Sequence, residues 1–137
     1  MPEPTERDML QGSKANDTGW GTGTCAAPID SVRTVCERLG VFDIVRPIKG
    51  FFEDTLPKVG DELSPIAMLH MDADWYASTK VILDNLYDRV VGGGVIQIDD
   101  YGHWDGCREA VHEFAAKRGL RFELRPIDGS GVWMIKS

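Results

Sequence analysis

The stretch "IAMLHMDADWYAST", residues 66–79, decides the fold, because its continuous apolar run is followed at once by two aspartates. A run of this kind is typical of a parallel β-strand that is buried on both faces. The stretch "GGGVIQIDDYG", residues 92–102, has the same plan and ends in two adjacent aspartates. Because ligands of an open parallel sheet bind outside the carboxyl ends of its strands, the two stretches predict one acidic site.

Helical periodicity follows each of these two strands. Apolar residues at positions 82–90 recur on one side of a predicted helix, which we expect the glycines at 92–94 to end. After the second strand, residues 107–115 place apolar side chains on the inner face of another helix. The order strand, helix, strand, helix predicts an α/β fold with a parallel sheet.

The chain divides into an irregular start and one domain. Residues 1–27 are rich in Pro, Gly, Thr, Asn and charge without a hydrophobic period, which predicts a loop or mobile lid segment. Residues 28–137 carry all the periodic elements and are expected to form the domain, which at this length has a modest core.

Four further elements are predicted outside the central unit. The spacing predicts a helix over 28–39, a short strand over 43–49, and one or two helical turns over 51–57 that a proline closes. Two strands within 120–127 and 131–137 flank a short turn, so they are expected to pair in an antiparallel hairpin.

Composition excludes several classes of partner. The net charge of −7 argues against nucleic acid, because phosphate backbones are bound by clustered Lys and Arg. No apolar run approaches the roughly 20 residues of a membrane helix, and the N-terminus lacks a signal-peptide core. Three widely spaced cysteines fit reduced thiols better than a zinc site or a disulfide framework. We therefore expect a cytoplasmic protein with no membrane partner.

The four strand-end carboxylates are candidate metal ligands. Asp72 and Asp74 share a side if the strand geometry persists, whereas of the adjacent Asp99 and Asp100 one must turn away. Clustered carboxylates repel each other unless a cation compensates them. All-oxygen ligation favours Mg²⁺, with Mn²⁺ or Ca²⁺ as alternatives, over zinc.

A structural interpretation of the same residues stays open. Aspartate or serine after a strand often caps the next helix, so Asp74 or Ser78 is a candidate cap for one helix and Asp105 for the other. His70, in the middle of the first strand, is expected in the core. His103, in the loop after the second acidic pair, is a further candidate for a functional residue.

Four motifs together carry a resemblance to a known family. "MDADWYAST", "GGGVIQIDDYG", "WDGCREAVHEF" and "IKGFFEDTLP" resemble the macrocin O-methyltransferase family, whose members use S-adenosylmethionine and a metal to methylate sugar hydroxyls of antibiotics. The likeness runs from about residue 1 to the C-terminus. It implies part of a class I, Rossmann-like methyltransferase sheet with an antiparallel C-terminal hairpin, and a small-molecule glycoside as substrate.

The resemblance also implies roles for the acidic residues. By position in the motifs, Asp72, Asp99 and Asp100 look like the Mg²⁺ ligands and Asp74 like the catalytic base. Gly50 and Phe51 fall where such folds approach the adenine ring of S-adenosylmethionine.

Four aromatic residues beside the acidic pairs are candidates for contact with the acceptor. Trp75, Tyr76, Tyr101 and Trp104 carry rings that stack well on a sugar, although aromatics beside a sheet are often core residues instead.

By the same resemblance, "PEPTE" is similar to the segment after the family's second strand, which puts the first two strands and the glycine-rich methionine-binding turn upstream of Met1. We therefore expect a partial domain: a fragment, a truncated gene product, or one half of a split pair, with an N-terminal half or a second copy as partner. Two rival functions remain, a non-catalytic remnant that keeps the metal site and a glycosyltransferase of the Asp-x-Asp type.

Overall fold

The computed structural model of the chain describes residues 1–59 and 62–137. Within these residues there are four α-helices and six β-strands. The helices are α1 (Ile29–Leu39), α2 (Phe52–Val59), α3 (Tyr76–Leu86) and α4 (Asp105–Lys117), and the strands are β1 (Met9–Leu10), β2 (Ser13–Lys14), β3 (Ile66–Met71), β4 (Val90–Ile98), β5 (Arg125–Pro126) and β6 (Val132–Ile135).

A four-stranded mixed sheet with the order β3-β4-β6-β5 organises the domain. β3 and β4 are parallel neighbours, as the two acidic stretches predict, and α3 connects them. β6 pairs antiparallel with both β4 and β5, which confirms the C-terminal hairpin, although β5 is only two residues long. β3 therefore forms one edge of the sheet among the described strands.

One face of this sheet is buried against α3 and α4. Side chains that alternate along the strands point into this core, and the fully buried Leu83 of α3 packs with them. Tyr87 and Phe114 add an edge-to-face ring pair with centroids 5.0 Å apart. The strand residues on the buried face are Leu69, Met71, Ile96, Ile98 and Met134.

The opposite face of the sheet is more open, so the prediction that β3 is buried on both faces is wrong. Met68 is 58% exposed, and His70, expected in the core, is also exposed. The physical reason is that α3 and α4 both pack on one face, leaving these two alternate positions without a covering layer among the described residues.

The glycines at 92–94 do not end a helix. α3 stops at Leu86, a 3₁₀ turn follows, and the glycines lie inside β4. A Cβ at Gly94 would lie 3.1 Å from the carbonyl oxygen of Ala67, so the missing side chain lets the two strand backbones approach each other. The pairing register of β3 shifts between Ile66 and Met68, opposite this part of β4.

Two predictions between α1 and β3 need correction. Residues 43–49 were expected to form a strand, but the described chain has a 3₁₀ turn at Phe42–Ile44 and no strand at 45–49, because no described strand lies beside the segment to pair with it. Pro57 does not close α2, which continues to Val59. A proline in the last turn removes a single helical hydrogen bond, so the helix tolerates it there.

The first 27 residues contain more structure than a loop. β1 and β2 form a small antiparallel hairpin, and Asp8 in front of it is fully buried. The indole Nε1 of Trp75 donates a hydrogen bond of 3.1 Å to the carbonyl oxygen of Pro2. At these contacts the start of the chain is docked on the domain. Among the described residues, no helix has the length and apolar character needed to cross a membrane.

Candidate functional site

The parallel pairing of β3 and β4 brings their carboxyl ends together. Met71 pairs with Ile98 at the last position of both strands, and the amide of Asp99 donates to the carbonyl oxygen of Met71 at 2.9 Å. The aspartates that follow the two strands therefore share one edge of the sheet.

Three of these aspartates form what we call the acidic cluster: Asp72, Asp99 and Asp100. One carboxylate oxygen from each lies within 4.8 Å of the others. Oxygen ligands around Mg²⁺ or Ca²⁺ are separated by roughly 3 to 5 Å, so the donor set fits a hard divalent cation. Asp72 is exposed and the other two are half-buried, so water or a ligand has access to the cluster.

Asp74 adopts a left-handed backbone conformation, with a φ of 54°. Aspartate tolerates this conformation better than most residues, and it shows that the strand has ended, so the predicted alternation of Asp72 and Asp74 does not persist. The turn directs the Asp74 amide to Asp100 Oδ2 at 3.0 Å. Trp104 Nε1 donates to Asp74 Oδ1 at 3.1 Å, which fixes the carboxylate beside the cluster.

The electrostatics of this corner favour a proton or a cation. Burial, and then the charge of Asp100, raise the pKa of Asp74 to about 6, against the opposing effect of the Trp104 hydrogen bond. Burial raises the pKa of Asp100 as well, and the charges of Asp72 and Asp99 add to this rise. A carboxyl with a pKa near neutrality can both accept and release a proton at physiological pH.

The helix-cap alternative is wrong for α3, because the cap of this helix is a residue that the sequence analysis did not identify. Neither Asp74 nor Ser78 caps α3; instead Asp8 Oδ1 accepts from the Tyr76 amide at 2.7 Å. Asp8 Oδ2 accepts from the amide and the hydroxyl of Thr5 at 2.7 and 2.8 Å. Pattern rules look for a cap immediately before its helix, so a cap 68 residues away leaves no local signal.

Gly50 and Phe51 line a cavity of about 650 Å³ together with Asp72 and Asp74. We call it the Phe51 cleft. Residues 1–2 and 25–27, from the start of the chain, also line it. Gly50 has a φ of 146°, and a Cβ there would meet the Thr55 side chain at 2.7 Å, so this position favours glycine. The predicted cofactor residues and the predicted base thus border one cavity.

The four predicted acceptor-contacting aromatics are not equally available. Trp75 and Trp104 are each 1% exposed and pack edge to face with ring centroids 4.8 Å apart. Both are therefore core residues, and the predicted stacking on a sugar is wrong for them. Arg7 lies 4.1 Å from the Tyr76 ring centroid and occupies one face of that ring. The Tyr101 hydroxyl lies 2.8 Å from His112 Nε2.

The sheet, with two parallel strands followed by an antiparallel hairpin, is similar to that of solved methyltransferases, so the chain has an α/β methyltransferase fold. The chain belongs to the macrocin-O-methyltransferase (TylF) family, whose model matches residues 1–136.

Individual relatives agree with this assignment. The chain is 41% identical over 112 residues to 8-demethyl-8-(2,3-dimethoxy-alpha-L-rhamnosyl)-tetracenomycin-C 4'-O-methyltransferase of Streptomyces olivaceus, a match that covers 81% of the chain and 42% of the relative. The solved O-methyltransferase NovP is similar with a TM-score of 0.78 and 37% identity, over 82% of the chain and 46% of that protein.

A more distant likeness is that to the SAH-bound Podospora anserina methyltransferase PaMTH1, with a TM-score of 0.54 and 21% identity, over 80% of the chain and 56% of that protein. The chain thus spans less than half the length of the S. olivaceus relative and of NovP.

Proposed function

We propose that this chain acts as a methyltransferase that uses S-adenosylmethionine and Mg²⁺ to methylate a sugar hydroxyl of a natural product. The observation that carries the proposal is the acidic cluster with Asp74 beside it, at the border of the Phe51 cleft. The names of the relatives, which are O-methyltransferases of glycosylated antibiotics, support the substrate class.

Asp72, Asp99 and Asp100 would hold the divalent cation, because their oxygens are close enough to share one ion. Bound there, Mg²⁺ would lower the pKa of an acceptor hydroxyl, as Lewis acids do. The cation would also relieve the mutual repulsion of the three carboxylates.

Gly50 and Phe51 would hold the adenosyl part of S-adenosylmethionine in the Phe51 cleft, where Phe51 offers an exposed ring. The cofactor supplies an electrophilic methyl group on its sulfonium. That a distant methyltransferase of the same fold binds the demethylated product, SAH, supports this choice of cofactor.

Asp74 would take the proton from the acceptor hydroxyl. Its Oδ1 is held by Trp104 Nε1, and its pKa of about 6 keeps it largely ionised and ready to accept at pH 7 to 8. When the acceptor oxygen gains the methyl group, the hydroxyl proton is already on Asp74, from which solvent in the open cleft can remove it.

Methyl transfer from radiolabelled S-adenosylmethionine to a panel of deoxysugar glycosides tests the proposal, with Mg²⁺ and with EDTA. We expect transfer that requires Mg²⁺ and falls by roughly 10²-fold in Asp74→Asn, the scale of a lost general base. Asp72→Asn should lose activity that excess Mg²⁺ partly restores. Transfer that is indifferent to EDTA would contradict the metal assignment.

The chain matches only 42% of the length of the S. olivaceus relative. One rival function therefore remains, a non-catalytic remnant or split-enzyme half that retains the metal site. Calorimetric titration with S-adenosylhomocysteine distinguishes the two, since a catalytic chain binds it and a remnant does not. Hydrolysis of UDP-sugars without any methyl transfer would instead favour the glycosyltransferase alternative.

A further inference from the structure

The residue that caps α3 also lies against α4. Asp8 is fully buried, and its Oδ1 accepts the 2.7 Å hydrogen bond from the Tyr76 amide in the first turn of α3. Gly106, the second residue of α4, is buried beside the same oxygen. A Cβ at Gly106 would overlap Asp8 Oδ1 and would lie 3.1 Å from the Tyr76 Cβ. Asp8 therefore lies where the first turns of the two helices meet.

The proposed base and its hydrogen-bond donor stand at the entries of these two helices. Asp74 lies two residues before Tyr76, where α3 begins. Trp104, whose Nε1 donates to Asp74 Oδ1 at 3.1 Å, lies immediately before α4. This hydrogen bond joins the entry of one helix to the entry of the other, so its length depends on how the two first turns are held against each other.

Two buried tryptophans connect the same corner to the start of the chain. The Trp75 ring packs edge to face on the Trp104 ring, and Trp75 Nε1 donates to the carbonyl oxygen of Pro2. One indole N–H is thus satisfied by the start of the chain and the other by Asp74. Because close-packed side chains transmit displacement, a shift of residues 2–8 would reach the Trp104 ring.

A second bridge between the two helices lies on the surface. Arg7 Nη1 is 3.1 Å from carboxylate oxygens of both Glu109 and Glu113 in α4, and its guanidinium covers the Tyr76 ring. These charged groups are exposed, and exposed ion pairs contribute little to stability. The buried carboxylate of Asp8, which accepts three hydrogen bonds, is therefore the main link between the two first turns.

We propose that Asp8 is a positioning residue for Asp74: it holds the first turns of α3 and α4 together and thereby keeps Trp104 Nε1 within hydrogen-bond distance of Asp74 Oδ1. The inference rests on the proposed function for the role of Asp74 as the base. A base must be held in its productive place by the residues around it, because a small misplacement lowers the rate. A helix cap without this role would affect stability alone.

The test follows the indole N–H resonance of Trp104 in the ¹⁵N-labelled 137-residue chain, which Trp104→Phe assigns among the four tryptophans. In Asp8→Ala we expect the indole proton to move upfield, because a longer hydrogen bond leaves it more shielded. The Trp133 resonance, from β6, should stay in place. Asp8→Asn should move the Trp104 proton less, since its side-chain oxygen can still accept from the Tyr76 amide.

Gly106→Ala disturbs the same contact from the other helix. Alanine favours a helix more than glycine does, but its methyl group would overlap Asp8 Oδ1. We expect it to move the Trp104 resonance in the same direction as Asp8→Ala. In the double variant the two effects should not add, because both changes disrupt one contact. Asp17→Asn, at an exposed aspartate of the same segment, is the control and should leave the resonance in place.

Methyl transfer at saturating S-adenosylmethionine and acceptor gives a second readout. The kcat of Asp8→Ala should fall by roughly 10-fold or more, with Asp8→Asn between it and wild type. A Trp104 resonance that stays in place while Asp8→Ala unfolds at a lower urea concentration would overturn the inference, because Asp8 would then be a cap alone.

Failure of the inference differs from failure of the proposed function. If Asp8→Ala transfers methyl groups as fast as wild type, the inference fails and the proposed function stands. If the Trp104 resonance moves as expected but wild type transfers no methyl group to any acceptor, the proposed function fails and the positioning of Asp74 by Asp8 stands.

Discussion

The helices α3 and α4, which follow β3 and β4, and the helix α1 at Ile29–Leu39 are all amphipathic, with opposite results. α3 and α4 bury their apolar residues against the sheet. α1 has an equally clear apolar stripe, yet Val32, Val35 and Leu39 are exposed, Leu39 by 70%, and only Cys36 on that stripe is buried. The stripe in the sequence sets which residues face inward, but a buried face also requires a partner layer.

The edge of the sheet shows the same contrast. β4 is paired on both sides, with β3 and β6, whereas β3 is paired on one side only among the described strands. A parallel strand at an open edge, with Met68 exposed on it, is unusual because parallel sheets are normally covered on both faces. The acidic cluster joins the two kinds of strand, because Asp72 follows the edge strand β3 whereas Asp99 and Asp100 follow β4, which is paired on both sides.

The largest expected effect comes from truncating the covered region. Leu83→Ala removes a fully buried side chain and should lower the free energy of unfolding by about 2 to 5 kcal/mol. Val35→Ala, a matched truncation on the exposed stripe of α1, should cost less than about 0.5 kcal/mol. Urea denaturation measures both. Equal losses would mean that the apolar stripe of α1 is covered in solution, which would contradict the difference between α1 and the two buried helices.

A smaller effect tests the long-range cap that joins the start of the chain to α3. Asp8→Ala leaves the amides of Tyr76 and Thr5 without their acceptor and should lower the free energy of unfolding by about 1 to 3 kcal/mol. Asp17→Ala, at an exposed aspartate of the same segment, is the control. If both variants unfold at the same urea concentration, the first residues of the chain are not docked as the structure has them.

The smallest effect concerns pH. The pKa of Asp74 is raised in the folded chain, so this residue's contribution to stability is full below its unfolded pKa and is lost as the pH rises through about 6. With EDTA present, Asp74→Asn should therefore be more stable than wild type at pH 8, by about 1 kcal/mol after allowance for solvent screening. The gain should vanish near pH 4. Thermal unfolding at both pH values measures it, and a gain that is larger at pH 4 would refute the assigned shift.

The central unit could be predicted from the sequence because its rules are local. An apolar run that ends in acid, twice, with a helix between, was enough to predict the β3–β4 pairing and the meeting of the strand-end aspartates at one edge of the sheet. The choice of Asp72, Asp99 and Asp100 as the metal ligands came from the resemblance to the family. The left-handed turn at Asp74 and its bond from Trp104 depend on contacts across the fold. Periodicity carries no information about such contacts.

The failed predictions share a cause. The segment 43–49 has strand composition, and His70 has a strand position, but pairing and covering are decided by elements distant in sequence. The glycines at 92–94 were interpreted as a helix stop, but glycine also occurs where two strand backbones approach closely. Only the neighbouring strand, which is distant in sequence, distinguishes the two cases. Asp8 was assigned to a mobile segment, since its partner Tyr76 lies far along the chain.

Calorimetric titration with Mg²⁺ and Mn²⁺ tests the central claim most directly, that the acidic cluster is a metal site with Asp74 beside it but outside the ligand set. Wild type should bind one divalent ion, and Asp74→Asn should bind it with nearly the same affinity. The double variant Asp99→Asn, Asp100→Asn should lose binding, because two of the three carboxylates are gone. Unchanged binding in the double variant would contradict the account.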